Sequence, residues 1–260
     1  MKNVSIIGAG NMGTALATGF ASAGYDVRIS NHTPNKLERL KGVERVAVFD
    51  DNTLAIENAD MVILAVKADA FEKIFSEIGS LLNYNRTIVA SLSPKFQLAQ
   101  LEQMLRPYNN APMVARVMPN TAVSVGESMT FVSLNEYAAA YSSEVRDVFN
   151  SVGKVEIADE ALFEAATLLC SCGLAYAFRY IRAASEGGVA LGFEAKDARR
   201  YVCQTLRGAA EMLDRFDMHP EMAVDTVTTP GGLTIAGLNA MERAGFTAAV
   251  LAGLEDKLKG

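Results

Sequence analysis

The sequence is poor in the residues that form disulfides and bind metals. It has three cysteines, Cys170, Cys172 and Cys203, and two histidines, His32 and His219, among 260 residues. An odd number of three cysteines does not build a disulfide framework, so we interpret them as reduced thiols of a cytoplasmic protein. Thiols on apolar helices are usually small core residues. With so few histidines, we predict no metal site.

Positive charge is also scarce. The 24 Lys and Arg stand against 30 Asp and Glu, which gives a net charge of -6. Nucleic-acid binding requires a basic stripe, so we predict no nucleic-acid partner. The N-terminus lacks the charged start and long apolar core of a signal peptide. The longest apolar stretch, around 167–181, contains Ser, Gly and Arg179, which favours a buried helix over a membrane span.

Residues 1–157 alternate short β-rich runs with helical patterns. Five runs are apolar and β-branched, as strands buried on both faces usually are. They are Val4–Ile7, Val27–Ile29, Met61–Val66, Thr87–Ala90 and Met113–Val117. Amphipathic stretches such as Ala70–Leu82 lie between them. This alternation predicts an α/β fold with right-handed crossovers and a parallel sheet.

The chain after about Asp159 contains almost no strand-like run. We predict helices at 161–185, 195–216, 233–243 and 247–257. The first of these is apolar nearly all round, and a chain of this size has little spare core to cover it. We therefore expect dimerisation through the C-terminal part.

A glycine-rich turn follows the first predicted strand and begins a helical run. Its residues are Gly8, Ala9, Gly10, Asn11, Met12 and Gly13. In G-x-G-x-x-G the first glycine makes the tight turn, the second lets the backbone approach a pyrophosphate, and the third lets the helix pack on the strand. The helix N-terminus then faces the phosphates with free amide donors. This context favours dinucleotide binding over a glycine turn without function.

The end of the second strand indicates which dinucleotide is preferred. An NAD site usually carries Asp or Glu there, whose charge would repel a 2′-phosphate. This sequence has Ser30 and Asn31, followed by Lys36 and Arg39. Neutral donors backed by cations favour NADPH over NADH, although NADH stays possible. Alternatively, Lys36 and Arg39 are the solvated face of a helix capped by Thr33.

The segment Val227–Glu242 resembles the signature of pyrroline-5-carboxylate reductases. It contains Thr-Thr-Pro-Gly-Gly-Leu-Thr, and a second block of that family is similar to Arg116–Thr121. Three shorter matches fall in the same order and spacing, at His219-Pro220, at 65–67 and at 152–154. The resemblance covers essentially the whole chain. It implies a Rossmann-type NADP-binding domain at 1–157, and an all-α dimerisation and substrate-binding domain at 158–260.

The implied activity is NADPH-dependent reduction of 1-pyrroline-5-carboxylate to L-proline, with the substrate held between the two domains. The implied substrate-binding residues are Thr229, Gly231, Gly232, Leu233 and Thr234. A Thr-Pro-Gly-Gly loop that enters a helix presents several backbone N–H groups to a small carboxylate. By itself, the same loop could be an ordinary helix cap. The hydroxyl of Thr234 is expected to reach the ring nitrogen or the carboxylate, which makes it a catalytic candidate.

The resemblance also distributes the cofactor contacts. Gly8–Gly13 would hold the pyrophosphate, Asn31 and its neighbours the 2′-phosphate, and Asn52 the adenine side. Ala65, Val66 and Lys67 would run beneath the nicotinamide ribose, while Pro119 and the second catalytic candidate, Asn120, would line the nicotinamide end. Lys67 could also be a proton donor or an exposed charge. Protonation of the imine makes a strong hydride acceptor, so a general acid is not required.

Three places depart from the family pattern. Ala68-Asp69 replaces Pro-Gln, Ser91–Lys95 replaces a turn of small residues, and Ser171–Tyr176 lacks a proline that interrupts a helix. These departures leave room for a reductase of another cyclic imine or small carbonyl acid, or for a non-catalytic NADPH sensor. A β-hydroxyacid dehydrogenase is disfavoured because no lysine lies between Asp159 and Gly192.

Overall fold

A computed structural model describes residues 1–255 of the chain. The chain divides into two compact units, the first comprising Met1–Ser171 and the second beginning at Cys172. The first unit is built around a sheet, and the second is built from helices.

The first unit contains one eight-stranded sheet. Its strands are β1 (Asn3–Ile7), β2 (Asp26–Ser30), β3 (Val46–Phe49), β4 (Met61–Leu64), β5 (Ile88–Ser91), β6 (Val114–Met118), β7 (Ser128–Leu134) and β8 (Gly153–Ile157). They lie in the order β3-β2-β1-β4-β5-β6-β7-β8. All neighbouring strands are parallel except β6 and β7, which are antiparallel, so the predicted parallel sheet carries one antiparallel pair. The predicted α/β class is confirmed.

Short helices cover the sheet. They are α1 (Asn11–Ser22), α2 (Asn52–Ala55), α3 (Phe71–Ile78), α4 (Leu98–Leu105), α5 (Ser142–Asn150) and α6 (Phe163–Ala166). Strand β4 is buried on both faces, and its side chains alternate between two clusters as the pleat requires. Met61 and Ile63 join the cluster that contains Phe20 of α1, whereas Val62 and Leu64 join the one that contains Phe71 of α3.

The segment after β2 differs from the predicted helix. It forms two 3-10 turns, Pro34–Lys36 and Glu38–Leu40, and Thr33 makes no capping hydrogen bond with its side chain. Leu37 and Leu40 are buried. Side chains three residues apart share one face of a 3-10 turn, so this geometry buries both leucines together.

A π-helical turn at Thr167–Cys172 follows α6. Leu174, which stands where the family usually has a proline, lies in the regular helix that follows this turn. The Thr167 hydroxyl donates to the Phe163 carbonyl at 2.7 Å, and the side-chain Nδ2 of Asn120 donates to the Cys170 carbonyl at 3.1 Å. These bonds supply partners where the regular helical ladder is broken.

The second unit consists of helices α7 (Gly173–Ala190), α8 (Ala195–Phe216), α9 (Pro220–Thr226), α10 (Leu233–Arg243) and α11 (Phe246–Glu255). Helices α8 and α10 have the predicted bounds, whereas α9 was not predicted. The predicted end of the last helix, Lys257, lies outside the described residues. Gly188 lets α7 approach α8, because a Cβ there would lie 2.8 Å from the Cβ of Ala198.

The helical segment Glu160–Ala190 is long and apolar enough to cross a membrane, judged by length and composition alone. Its most apolar window has a mean hydropathy of 1.6, and 11% of that window is buried. The prediction of a buried helix was therefore wrong for the single chain, in which Phe178 is 62% exposed. A lone chain offers too little apolar surface to cover this helix.

Candidate cofactor and substrate sites

The predicted cofactor residues meet at one edge of the sheet. Strand β1 lies between β2 and β4, so the chain order reverses at β1. In such sheets, ligands bind beside the carboxyl ends of the strands at the point of reversal. Here the Gly8 N–H donates to the Ser30 carbonyl at 2.8 Å, and the Ala65 N–H donates to the Ile7 carbonyl at 2.9 Å. The segments after β1, β2 and β4 are thus direct neighbours.

The three motif glycines have different surroundings. Gly8 has φ +110°, and a Cβ there would lie 2.6 Å from the Ala65 carbonyl oxygen. A Cβ on Gly13 would lie 1.9 Å from the Gly8 carbonyl oxygen, whereas a Cβ on Gly10 would meet nothing within 4 Å. Two glycines therefore permit close backbone packing, and the middle one borders open space. This arrangement fits a pyrophosphate that approaches the backbone at Gly10.

Helix α1 directs its N-terminus toward this turn. Gly10 occupies the N-cap position without a side-chain cap, and the first turn carries no acidic side chain. The first amides of a helix have no partner within the helix, and the helix dipole favours an anion there. The residues present therefore fit the phosphates of a dinucleotide.

The end of β2 is tied to the glycine-rich turn. Asn31 accepts a hydrogen bond from the Ala9 N–H at 3.1 Å through Oδ1 and donates from Nδ2 to the Thr33 carbonyl at 3.0 Å. Arg39 Nη2 lies 3.2 Å and 3.1 Å from the carbonyl oxygens of Ala9 and Gly10. Lys36 is exposed at the end of its 3-10 turn.

A buried polar network supports Ser30. Its hydroxyl donates to Asn52 Oδ1 at 2.8 Å, and Asn52 Nδ2 donates to Glu77 Oε2 at 2.7 Å. Asn52 is only 2% exposed. Sequence reasoning missed Glu77, because it lies on α3 with no motif around it and meets Asn52 only in the folded chain.

The segment after β4 approaches the glycine-rich turn from the other side. Ala65 and Val66 are half-buried, whereas Lys67 and Asp69 are exposed. A Cβ on Gly8 would lie 2.7 Å from Val66 Cγ1. The backbone of this segment therefore borders the turn, while the Lys67 side chain lies in solvent.

Asn120 follows β6 and is buried. Its Oδ1 accepts from the Ala122 N–H at 3.0 Å, and its backbone N–H donates to Ser128 Oγ at 3.1 Å. With Nδ2 bonded to the Cys170 carbonyl, both ends of the amide have protein partners. Burial raises the pKa of the Cys170 thiol, which keeps it protonated and unreactive. Within residues 1–255, no group of three or more His, Cys, Asp or Glu could hold a metal ion.

The predicted substrate loop lies in the second unit. Gly231 has φ +69°, and a Cβ on Gly232 would lie 2.4 Å from Thr229 Oγ1. The Gly232 N–H donates to the Thr229 carbonyl at 2.9 Å, which closes the turn before α10. Helix α10 then begins at Leu233, whose side chain is 94% exposed, and Thr234 is exposed in its first turn. The loop thus presents a helix N-terminus and a hydroxyl to solvent.

Two family profiles match the chain. One, described as NADP oxidoreductase, coenzyme F420-dependent, matches residues 3–94, and the other, described as pyrroline-5-carboxylate reductase dimerisation, matches residues 160–259. A relative from Dictyostelium discoideum, pyrroline-5-carboxylate reductase 2, is 35% identical over 97% of this chain and 90% of its own length. The chain belongs to the pyrroline-5-carboxylate reductase family. The predicted resemblance is confirmed.

Other relatives agree with this assignment. The pyrroline-5-carboxylate reductase of Arabidopsis thaliana is 35% identical over 95% of this chain and 90% of its own length. The structure of a pyrroline-5-carboxylate reductase from Coxiella burnetii has a TM-score of 0.88 and 28% identity, over 98% of this chain and 95% of that one. The Plasmodium falciparum enzyme, solved with NADP bound, has a TM-score of 0.82 and 26% identity over the same shares of the two chains.

Family membership establishes three properties of this chain. It is an oxidoreductase, it uses NAD(P)H, and it associates with copies of itself.

Proposed function

We propose that the protein reduces 1-pyrroline-5-carboxylate to L-proline with NADPH, the last step of proline biosynthesis. The observation that carries this proposal is the family match over nearly the whole chain, including the reductase relatives at 35% identity. The glycine-rich turn supports it, because its open side at Gly10 leaves room for the cofactor phosphates.

The reaction depends on positioning of the substrate more than on acid–base catalysis. When bound, NADPH supplies a hydride from its nicotinamide ring. The imine carbon of the substrate accepts the hydride, and the ring nitrogen carries a proton taken from solvent, so that C=N becomes CH–NH. The protein positions the substrate for hydride transfer and binds its carboxylate in a fixed place. This accounts for the absence of paired catalytic carboxylates among the proposed site residues.

The cofactor contacts are assigned as follows. Gly8, Ala9, Gly10, Asn11, Met12 and Gly13 bind the pyrophosphate; Ser30, Asn31 and Lys36 bind the adenosine 2′-phosphate; and Ala65, Val66 and Lys67 follow the nicotinamide ribose. Asn52 acts on the adenine side by orienting the buried hydroxyl of Ser30. Because no carboxylate stands at Ser30 or Asn31, NADPH is preferred to NADH.

The substrate contacts lie on the loop before α10. Thr229, Gly231, Gly232 and Leu233 hold the substrate carboxylate against the N–H groups at the start of α10, since a helix N-terminus favours an anion. The Thr234 hydroxyl accepts from the protonated ring nitrogen or donates to the carboxylate, and Thr234 is the proposed catalytic residue of this unit. Asn120 is the proposed residue at the nicotinamide end, held in place by its bonds to Ala122 and Cys170.

The domain assignment and the assembly extend the proposal. The dinucleotide-binding domain comprises residues 1–157, and the dimerisation and substrate-binding domain comprises 158–260. The end of β8 at Ile157 and the family match from residue 160 support this boundary. The protein forms a homodimer through its C-terminal helices and acts in the cytoplasm. The apolar, exposed helix α7 supports that interface.

A turnover assay with purified protein tests the function. NADPH oxidation is followed with 1-pyrroline-5-carboxylate, and proline is identified as the product by mass spectrometry. We expect steady NADPH consumption and stoichiometric proline. NADPH binding without turnover of this or any other cyclic imine would identify a sensor instead. Faster turnover of another cyclic imine would identify a divergent reductase, and the altered segments at 68–69 and 91–95 would then be the first to exchange.

A further inference from the structure

We propose that Arg39 is a positioning residue for the cofactor: it fixes the peptide groups of the glycine-rich turn and makes no contact with the 2′-phosphate. This inference rests on the proposed cofactor site. It revises the interpretation of the sequence, in which Lys36 and Arg39 were equivalent cations that follow β2.

Arg39 contacts the turn through one terminal nitrogen. Nη2 lies 3.2 Å from the carbonyl oxygen of Ala9, 3.1 Å from that of Gly10 and 2.7 Å from Thr14 Oγ1. Hydrogen bonds from a charged donor are roughly twice as strong as neutral ones. Nη2 carries two hydrogens, so at least one of them is shared between two of these acceptors. The guanidinium thereby links two successive carbonyl groups of the turn to the first turn of α1.

Holding a carbonyl also fixes the N–H of the same peptide unit. A trans peptide is planar, and its N–H points opposite to its C=O. The Ala9 carbonyl shares its unit with the Gly10 N–H, and the Gly10 carbonyl shares its unit with the Asn11 N–H. With both carbonyls directed at Arg39, these two N–H groups are directed away from it, toward the side on which an anion binds. Arg39 therefore lies behind the turn and not beside the phosphate.

The turn has no strong conformational preference of its own. Gly10 has no Cβ, and a Cβ there would meet nothing within 4 Å, so side-chain packing adds no constraint at this residue. Its carbonyl accepts the first hydrogen bond of α1, from the Thr14 N–H at 2.9 Å, and Arg39 adds a second donor to it. Asn31 holds the Ala9 N–H from the β2 side at 3.1 Å, and Arg39 holds the carbonyls. Together they supply the rigidity that a preorganised anion site requires.

Cofactor dissociation constants distinguish positioning from phosphate contact. They are measured by fluorescence titration of the intact protein with NADPH and with NADH. We expect Arg39→Gln to weaken both cofactors by a similar factor, roughly tenfold, the equivalent of one charge-assisted hydrogen bond. Lys36→Gln should weaken NADPH alone. Arg45→Gln, which removes the same charge from a surface pair with Asp26, should leave both constants unchanged.

A double-mutant cycle of Arg39 and Thr14 supplies a measurement that a general structural role of Arg39 would not change. Thr14→Val removes one of the three acceptors of Arg39, so its effect on cofactor binding should be smaller when Arg39 is already Gln. Arg39→Lys should restore part of the affinity, because an ammonium can still donate to one carbonyl. The melting temperature of the Arg39 variants should stay close to that of the wild type.

Four results would overturn the inference. They are a loss confined to NADPH in Arg39→Gln, unchanged constants in that variant, additive effects in the cycle, and a fall in melting temperature without any change in binding. If the wild type binds neither NADPH nor NADH, the proposed cofactor site and this inference both fail. If the wild type binds and Arg39→Gln binds equally well, only this inference fails.

Discussion

Arg116 Nη1 donates to Glu160 Oε1 at 2.9 Å, and the side chains of this pair are 13% and 22% exposed. Two further hydrogen bonds connect this pair to the segment that follows β5. Glu160 Oε1 also accepts from the Leu98 N–H at 2.9 Å, and Arg116 Nη2 donates to the Pro94 carbonyl at 3.0 Å. The pair thus holds the segment after β5, which departs from the family pattern, against the middle of β6.

Removing Glu160 should destabilise the protein. Glu160→Ala leaves Arg116 and the Leu98 N–H without their shared acceptor in a largely buried place, so the free energy of unfolding should fall by about 2 kcal/mol. Urea denaturation at one fixed protein concentration measures it. The control is Glu38→Ala, because Glu38 pairs with Lys41 at an exposed site. Its effect should stay within about 0.5 kcal/mol, and equal losses in both variants would contradict the assigned role of Glu160.

Two motif glycines should respond differently to substitution. Gly10→Val places its side chain in the open space of the turn, so the fold should survive while NADPH binding is lost. Gly13→Ala directs a Cβ into the Gly8 carbonyl, so the melting temperature should fall strongly. Differential scanning calorimetry and cofactor titration of both variants test this contrast. A Gly10→Val protein that binds NADPH normally would disprove the assignment of the pyrophosphate site.

Asn31→Asp should select against NADPH. The new carboxylate can still accept from the Ala9 N–H, so the turn keeps its anchor, but its charge repels a 2′-phosphate. We expect the dissociation constant of NADPH to rise by about tenfold or more, equivalent to 1.4 kcal/mol, and that of NADH to change little. Asn58→Asp adds the same charge before β4, at the amino edge of the sheet, and should affect neither cofactor. Equal effects of Asn31→Asp on both cofactors would refute the 2′-phosphate assignment.

Thr234→Ala tests the substrate loop. Loss of the hydroxyl should raise the KM for 1-pyrroline-5-carboxylate or lower kcat by roughly tenfold, while NADPH binding stays unchanged. Thr226→Ala is a matched control on α9, because the hydroxyl of Thr226 donates to the Ala223 carbonyl of its own helix at 2.7 Å. Wild-type steady-state kinetics in Thr234→Ala would mean that the substrate loop has been misplaced.

Asp60 should make stability depend on pH at the acid end. Burial raises the pKa of Asp60, but hydrogen bonds from Arg86 and from the amides of Asn3 and Lys2 outweigh it, so the pKa is lowered on balance. A carboxylate with a lowered pKa stabilises the fold above its unfolded pKa of about 4 and loses this contribution as pH falls through the folded value. The difference in unfolding free energy between wild type and Asp60→Asn should therefore be largest at neutral pH. A difference that does not shrink below about pH 4 would contradict this explanation.

Local sequence patterns were enough to predict much of the fold. Helix α8 keeps an amphipathic period over Ala195–Phe216, and helix α10 begins directly after Gly232, so both could be delimited from the sequence. The buried strand β4 was recognisable because its residues are apolar without alternation. Strand β7 escaped recognition because it includes Ser128, Thr130 and Ser133, which are buried polar residues.

The position of the candidate cofactor site could be predicted from the sequence, but its long-range side-chain contacts could not. The spacing of Gly8–Gly13 identifies the turn, because each glycine has a local conformational or packing reason. The contacts of Arg39 with Ala9 and of Asn52 with Glu77 join residues 30 and 25 positions apart, and no local pattern encodes them. They depend on how the 3-10 turns and α3 pack on the sheet, which only the folded chain reveals.

If the proposed interface lies on the exposed apolar face of α7, folding is tied to association by mass action. In the single chain, helix α7 contains no buried residue, and its Phe178 is 62% exposed. When a second copy covers such a face, only the folded, associated form gains that burial free energy. Stability then rises with protein concentration, so a single unfolding free energy does not describe the protomer. With the proposed interface on α7, dilution would lower the stability of the folded chain without any change in its internal contacts.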